Sequence, residues 1–133
     1  MFNVAIDGPS GAGKSTVAKS IAKQLGYIYV DTGALYRAIG LYCSQKGADT
    51  TVSKEVEPLL NDINLELRFV DDAQRVFLNG NDVSQDIRLP QMSMHASNVS
   101  AHKCVREFLF DLQRDMAKKN NVIMDGRDIG TVV

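Results

Sequence analysis

Apolar residues open the chain as a short unbroken run, Val4-Ala5-Ile6, that ends at Asp7. Such a run suits a parallel strand buried on both faces. Ala18, Ile21, Ala22 and Leu25 then recur at helical spacing, with Gly26 as a stop. Tyr27-Ile28-Tyr29-Val30 reads as a second strand that ends in Asp31-Thr32-Gly33, and Leu35, Ile39 and Tyr42 mark a second helix. Two strands joined by a helix imply a parallel pair with a right-handed crossover.

From residue 63 the pattern changes. Ile63, Leu65, Leu67 and Phe69 alternate with Asn64, Glu66, Arg68 and Val70, the period of a sheet that is wet on one face. Gln74 to Leu78 adds another strand, Asn79-Gly80 is a favoured two-residue hairpin turn, and Asn81 to Ser84 fits a short return strand. Helical spacing resumes near Pro90, a suitable first-turn residue. A longer helix from about His102 to Lys119 turns Val105, Phe108, Leu109, Leu112 and Met116 inward, with Lys118 and Lys119 at its negative end. Val122-Ile123-Met124 forms a third core strand and delivers Asp125-Gly126-Arg127-Asp128 at its carboxyl end, where open α/β sheets place their ligands. The predicted organisation is α/β. Residues 1–61 and 89–133 form a core of parallel sheet flanked by helices, and residues 62–88 form a small antiparallel β insert.

Composition mainly excludes. With 133 residues, 44% hydrophobic and 23% charged, the chain is about one soluble domain with a real core. Fifteen basic and sixteen acidic residues leave a net charge of −1, so no global field recruits nucleic acid or an anionic membrane. No apolar run approaches the ~18 residues of a membrane span, and the N-terminus is too polar for a signal peptide. Cys43 and Cys104 stand far apart without a CxxC neighbour, which suggests small reduced thiols and a cytoplasmic setting. His95 and His102 have no Cys or carboxylate at metal-ligand spacing and read as structural or exposed. Met92 and Met94 read as packing residues.

One motif carries chemistry. Gly8-Pro9-Ser10-Gly11-Ala12-Gly13-Lys14-Ser15, followed by Thr16, places two glycines five positions apart and then Lys and a hydroxyl residue. Glycines let the backbone bring successive N–H groups to a phosphate, Lys14 reaches the β/γ oxygens of a nucleoside triphosphate, and Ser15 offers its hydroxyl to Mg²⁺. The predicted strand before it and helix after it supply the context that this motif needs.

Four stretches together resemble bacterial cytidylate kinase: Ile6 to Thr16, Asp31-Thr32-Gly33-Ala34-Leu35-Tyr36-Arg37, Val83-Ser84-Gln85-Asp86-Ile87-Arg88, and Asp125-Gly126-Arg127-Asp128-Ile129-Gly130-Thr131-Val132-Val133. The resemblance covers essentially the whole chain. It implies a P-loop nucleoside monophosphate kinase of pyrimidine metabolism that converts MgATP and CMP or dCMP into ADP and CDP or dCDP. It also implies that Thr32, Arg37 and Arg127 bind the acceptor phosphate, with Lys14, Arg37 and Arg127 stabilising the transferring group, and that Ser97, Arg106 and Asp128 read cytosine. Planar guanidinium forks suit two phosphates that repel each other. Asp128 can accept from the exocyclic amine that cytosine has and uracil lacks. Taken alone, Ser97 also fits a plain helix-surface hydroxyl, and Arg106 a partner for acids one helical turn away.

The family runs on past GRDIGTVV with further core strands and an arginine-bearing lid over ATP. The expectation for the chain as it stands is therefore weak activity or none, with an apolar sheet edge that invites self-association, whereas full-length relatives are expected to be monomers. Two alternatives remain open: an inert nucleotide-binding fragment, and a related small-molecule P-loop kinase with another acceptor. A GTPase is disfavoured, because no Asn-Lys-x-Asp is present.

Overall fold

The computed structural model describes residues 3–6, 20, 22–25, 27–70, 73–119 and 122–125. Expected features at Asp7 to Lys19, among them the glycine-rich loop, and at Gly126 to Val133 lie outside the described residues.

The described chain divides into two compact units: residues 1–31, 69–74 and 112–133 make the first, and residues 32–68 and 75–111 the second. The first holds a three-stranded parallel sheet built from β1 (Asn3–Ile6), β2 (Ile28–Val30) and β6 (Val122–Asp125), in the order β1-β6-β2. Asn3 aligns with Val122 on one side of β6, and Ile28 aligns with the same Val122 on the other. The expectation of β1 paired directly with β2 is therefore corrected: the two are parallel members of one sheet, but β6 lies between them. A central parallel strand must be apolar on both faces, and Val122, with no exposed surface, meets that need as fully as Val30 does. Helical residues 22–25 (α1) bury Ala22, whereas Leu25 is 54% exposed and does not join the core.

The second unit is mainly helical. α2 (Thr32–Gln45) buries Leu35, Ala38, Ile39, Tyr42 and Cys43 at spacings of three and four, and with Gly40 and Leu41 also buried it is covered all round from Ala38 to Cys43. Gly47, at φ +76°, takes the left-handed conformation that ends the helix. A four-residue helix, α3 (Ser53–Val56), runs into a 3-10 helix over Glu57–Asp62. Both anchor through Val56 and Leu60, followed by Ile63. α4 (Pro90–Ser100) starts with proline in its first turn, and α5 (Lys103–Lys119) follows after a short corner.

A second sheet of three strands, β3 (Leu65–Val70), β4 (Ala73–Leu78) and β5 (Asn81–Asp82), has the order β3-β4-β5. Its β4–β5 hairpin is antiparallel, pairing Leu78 with Asn81 and Phe77 with Asp82. Leu65, Leu67, Val76 and Leu78 face inward while Arg68 and Val70 are exposed, the alternation that the sequence predicts. Asn79 at φ 50° and Gly80 at φ 85° make the turn, the pair of positive angles that a type I′ connection requires.

Candidate functional site

Thr32 and Arg37 stand on α2, Thr32 as its first residue, and both are half-buried. Leu35 and Ile39, fully buried, fix the rotation of the helix and so the direction in which the polar residues between them point. Beside Arg37, the phenol of Tyr36 is pushed above its usual pKa by burial and drawn partly back by the guanidinium of Arg106. Arg106, on α5, thus acts on the residue next to Arg37. Arg106 is therefore within electrostatic reach of α2, the helix that carries Thr32 and Arg37.

Arg106 lines an open groove of about 430 Å³ with Lys103, Glu107, Phe110 and Asp111. Its size falls within the range of small-molecule sites. Lys103 pairs with Glu107 at 3.7 Å across one helical turn, and no ion pair among the described residues involves Arg106. The alternative of Arg106 as a mere i,i+4 partner is therefore not the arrangement found. Ser97 lies exposed on α4.

α4 is held against α2 by close backbone approach. A Cβ on Gly40 would lie 2.8 Å from the Cβ of His95, so glycine alone fits this crossing without a shift. Thr50 then ties the corner together, and sequence reasoning missed it. Its side-chain oxygen accepts from the Asn98 amide at 3.0 Å and meets His95 Nδ1 at 2.9 Å, while its carbonyl accepts from His102 Nε2 at 2.8 Å. Thr50 is 3% exposed, so these contacts satisfy polar groups that water does not reach. Of the two roles that the sequence left to His95 and His102, structural or exposed, their bonds to Thr50 fit the structural one. The signal that could have exposed this hub is the pair of histidines seven residues apart, one in the middle of α4 and one just before α5.

Cys43 is buried, and that burial, with a smaller effect from Cys104, pushes its thiol up to about 11. It stays protonated near neutral pH and is no nucleophile. Among the described residues no three His, Cys, Asp or Glu side chains gather as a metal site, and no helix is long and apolar enough to cross a membrane. The glycine-rich loop from Gly8 to Thr16, with Lys14 and Ser15, and the pair Arg127 and Asp128 lie outside the described residues.

A profile of the cytidylate kinase family matches residues 4–133. The cytidylate kinase of Caldicellulosiruptor bescii is 51% identical over 132 residues, which is 99% of this chain and 58% of the relative. That of Lactobacillus johnsonii is 50% identical over 133 residues, covering 100% of this chain and 58% of the relative. The same name belongs to a Bacillus cereus protein that is 46% identical over 132 residues, with 59% of its length matched. The chain thus spans somewhat under three fifths of the curated relatives it matches. With the profile covering nearly all of its residues, this chain belongs to the cytidylate kinase family.

Proposed function

We propose that this chain carries the donor-binding and acceptor-binding parts of an ATP-dependent kinase that phosphorylates CMP or dCMP to CDP or dCDP. The observation that supports this reading best is the match along 99% of the chain to proteins named cytidylate kinase. On this reading residues 1–61 and 89–133 are a P-loop kinase core and residues 62–88 its insert. The protein works on small nucleotides in the cytoplasm, where both thiols stay reduced.

Backbone N–H groups of the loop from Gly8 to Thr16, other than Pro9, which has none, hold the triphosphate, and Lys14 takes the β/γ oxygens. Ser15 would hold Mg²⁺ together with the nucleotide, and the ion would offset repulsion between donor and acceptor phosphates. Thr32, Arg37 and Arg127 hold the acceptor phosphate in line with the γ-phosphorus. An oxygen of that phosphate forms the new P–O bond as the bond from the γ-phosphorus to the β–γ bridging oxygen breaks, and ADP leaves. Ser97, Arg106 and Asp128 select cytosine, since a carboxylate facing uracil would lose its donor.

Incubation with MgATP and, separately, CMP, dCMP, UMP, AMP and shikimate tests this directly. Cytidylates should turn over at about 1 to 100 per second if the chain holds the full machinery. Turnover of another acceptor would overturn the substrate, and binding of ATP and CMP without CDP formation would identify a binding unit alone.

A further inference from the structure

A parallel strand points the N–H and C=O of any one residue to the same side, and the next residue's pair to the other. At Tyr29, in the middle of β2, both groups are taken by a single side chain. The Tyr29 N–H donates to Gln74 Oε1 at 2.8 Å, and Gln74 Nε2 donates to the Tyr29 carbonyl at 2.5 Å. A primary amide has one acceptor and a donor group in the spacing of a peptide, so Gln74 does for β2 what one residue of a further strand would do. Tyr29 is 5% exposed, and neither of its backbone groups has easy access to water as an alternative partner.

Two residues beyond Tyr29 the chain reaches Asp31 and then Thr32, the first residue of α2. Whatever fixes the carboxyl end of β2 therefore fixes where α2 begins. We propose that Gln74 is a positioning residue for the acceptor phosphate: by clasping Tyr29 it holds the strand end from which Thr32 and Arg37 are presented. The identity of the ligand rests on the cytidylate kinase reading above. Such a role matters because a misplacement of ~1 Å in a binding group can cost on the order of 100-fold in rate. Gln74 itself stands in β4, just past the β3–β4 connection, and its amide meets the parallel sheet at Tyr29.

Two variants separate the clasp from general stability. Gln74→Leu keeps the bulk and removes both hydrogen bonds, whereas Gln74→Glu keeps an acceptor for the Tyr29 N–H and loses the donor. In nucleotide-free protein, Gln74→Leu should raise hydrogen exchange at the Tyr29 amide about tenfold. Calorimetry should show CMP binding weakened roughly five- to tenfold, with ATP binding unchanged and Gln74→Glu intermediate. If Gln74→Leu does not fold, Gln74→Glu carries the same comparison. CMP affinity that stays unchanged while the Tyr29 amide is freed would overturn the proposal, as would equal losses for CMP and ATP. Failure of the unsubstituted protein to bind CMP would instead overturn the acceptor reading, and it would be seen before any substitution is made.

Discussion

Strands β1, β6 and β2 are short apolar runs aligned in parallel, whereas β3, β4 and β5 alternate in character and β4 turns straight back into β5. The first sheet joins residues from both ends of the chain, so its partners must find each other across great sequence distance. The second draws on neighbours in sequence and on polar contacts at its surface. Arg68 bonds to Glu66 at 2.7 Å and lies 4.7 Å from the centre of the Phe77 ring, and Arg75 bonds to Asp82 at 2.8 Å. The difference teaches where chemistry and stability are each concentrated. In sequence, the residues proposed to hold phosphates come after parallel strands, while the antiparallel sheet depends on its turn and its pairs.

The comparison can be broken most sharply at the first parallel strand's loop. Where CDP forms as proposed, Lys14→Met should lower its rate by about 10³-fold or more, by loss of charge at the transferring phosphate, with an unchanged melting temperature. Retained turnover would remove Lys14 from its role. Next, Val122→Ala hollows the centre of the parallel sheet and should cost about 2–3 kcal/mol in urea unfolding. A cost below that of a surface substitution would show that β6 is not the sheet's keystone.

In the antiparallel sheet the effects should be smaller. Gly80→Ala places a Cβ on a residue at φ 85° and should cost about 1 kcal/mol, again by urea unfolding. Smaller still is a pH effect at Asp82. Bonds from Ser84, then from Arg75, hold its carboxyl down to about 2. A carboxylate whose folded pKa is depressed adds stability above its unfolded pKa, near 4, and loses it as pH falls through the folded value. Unfolding midpoints should therefore drop between about pH 4 and pH 2, and Asp82→Asn should flatten that part of the curve. An identical slope in the variant would assign the acid sensitivity elsewhere.

Local signals in the sequence carried far. Asn79-Gly80 specified its turn because few other pairs accept two positive φ angles, and the Val105, Leu109 and Met116 stripe specified α5. Strand order did not follow from the same reasoning, since nothing local to β1 or β2 reports that β6 will slot between them. The helical turns over Ser53–Val56 and Glu57–Asp62 passed unnoticed, although Val56, Leu60 and Ile63 are spaced by four and three with Pro58 in the first turn of the 3-10 segment. Thr50 and Gln74 were invisible for another reason. A buried threonine or glutamine matters through the partner that topology brings to it, and that partner stands 45 residues away in each case. For the candidate site, residue types and their order are what the sequence offers, and the electrostatic reach of Arg106 to Tyr36 is added by the fold.

The Asn79-Gly80 turn has a consequence for how the protein ages. Asparagine before glycine is the dipeptide most prone to deamidate, because the glycine nitrogen can swing unhindered onto the side-chain carbonyl. Here the Asn64 N–H donates to Asn79 Oδ1 at 2.8 Å, while the Asn79 N–H donates to the Asn64 carbonyl at 2.8 Å. These two bonds tie the turn to the residue before β3 and restrain the Asn79 amide, so the same dipeptide that makes the turn easy to form should be slow to act as a clock.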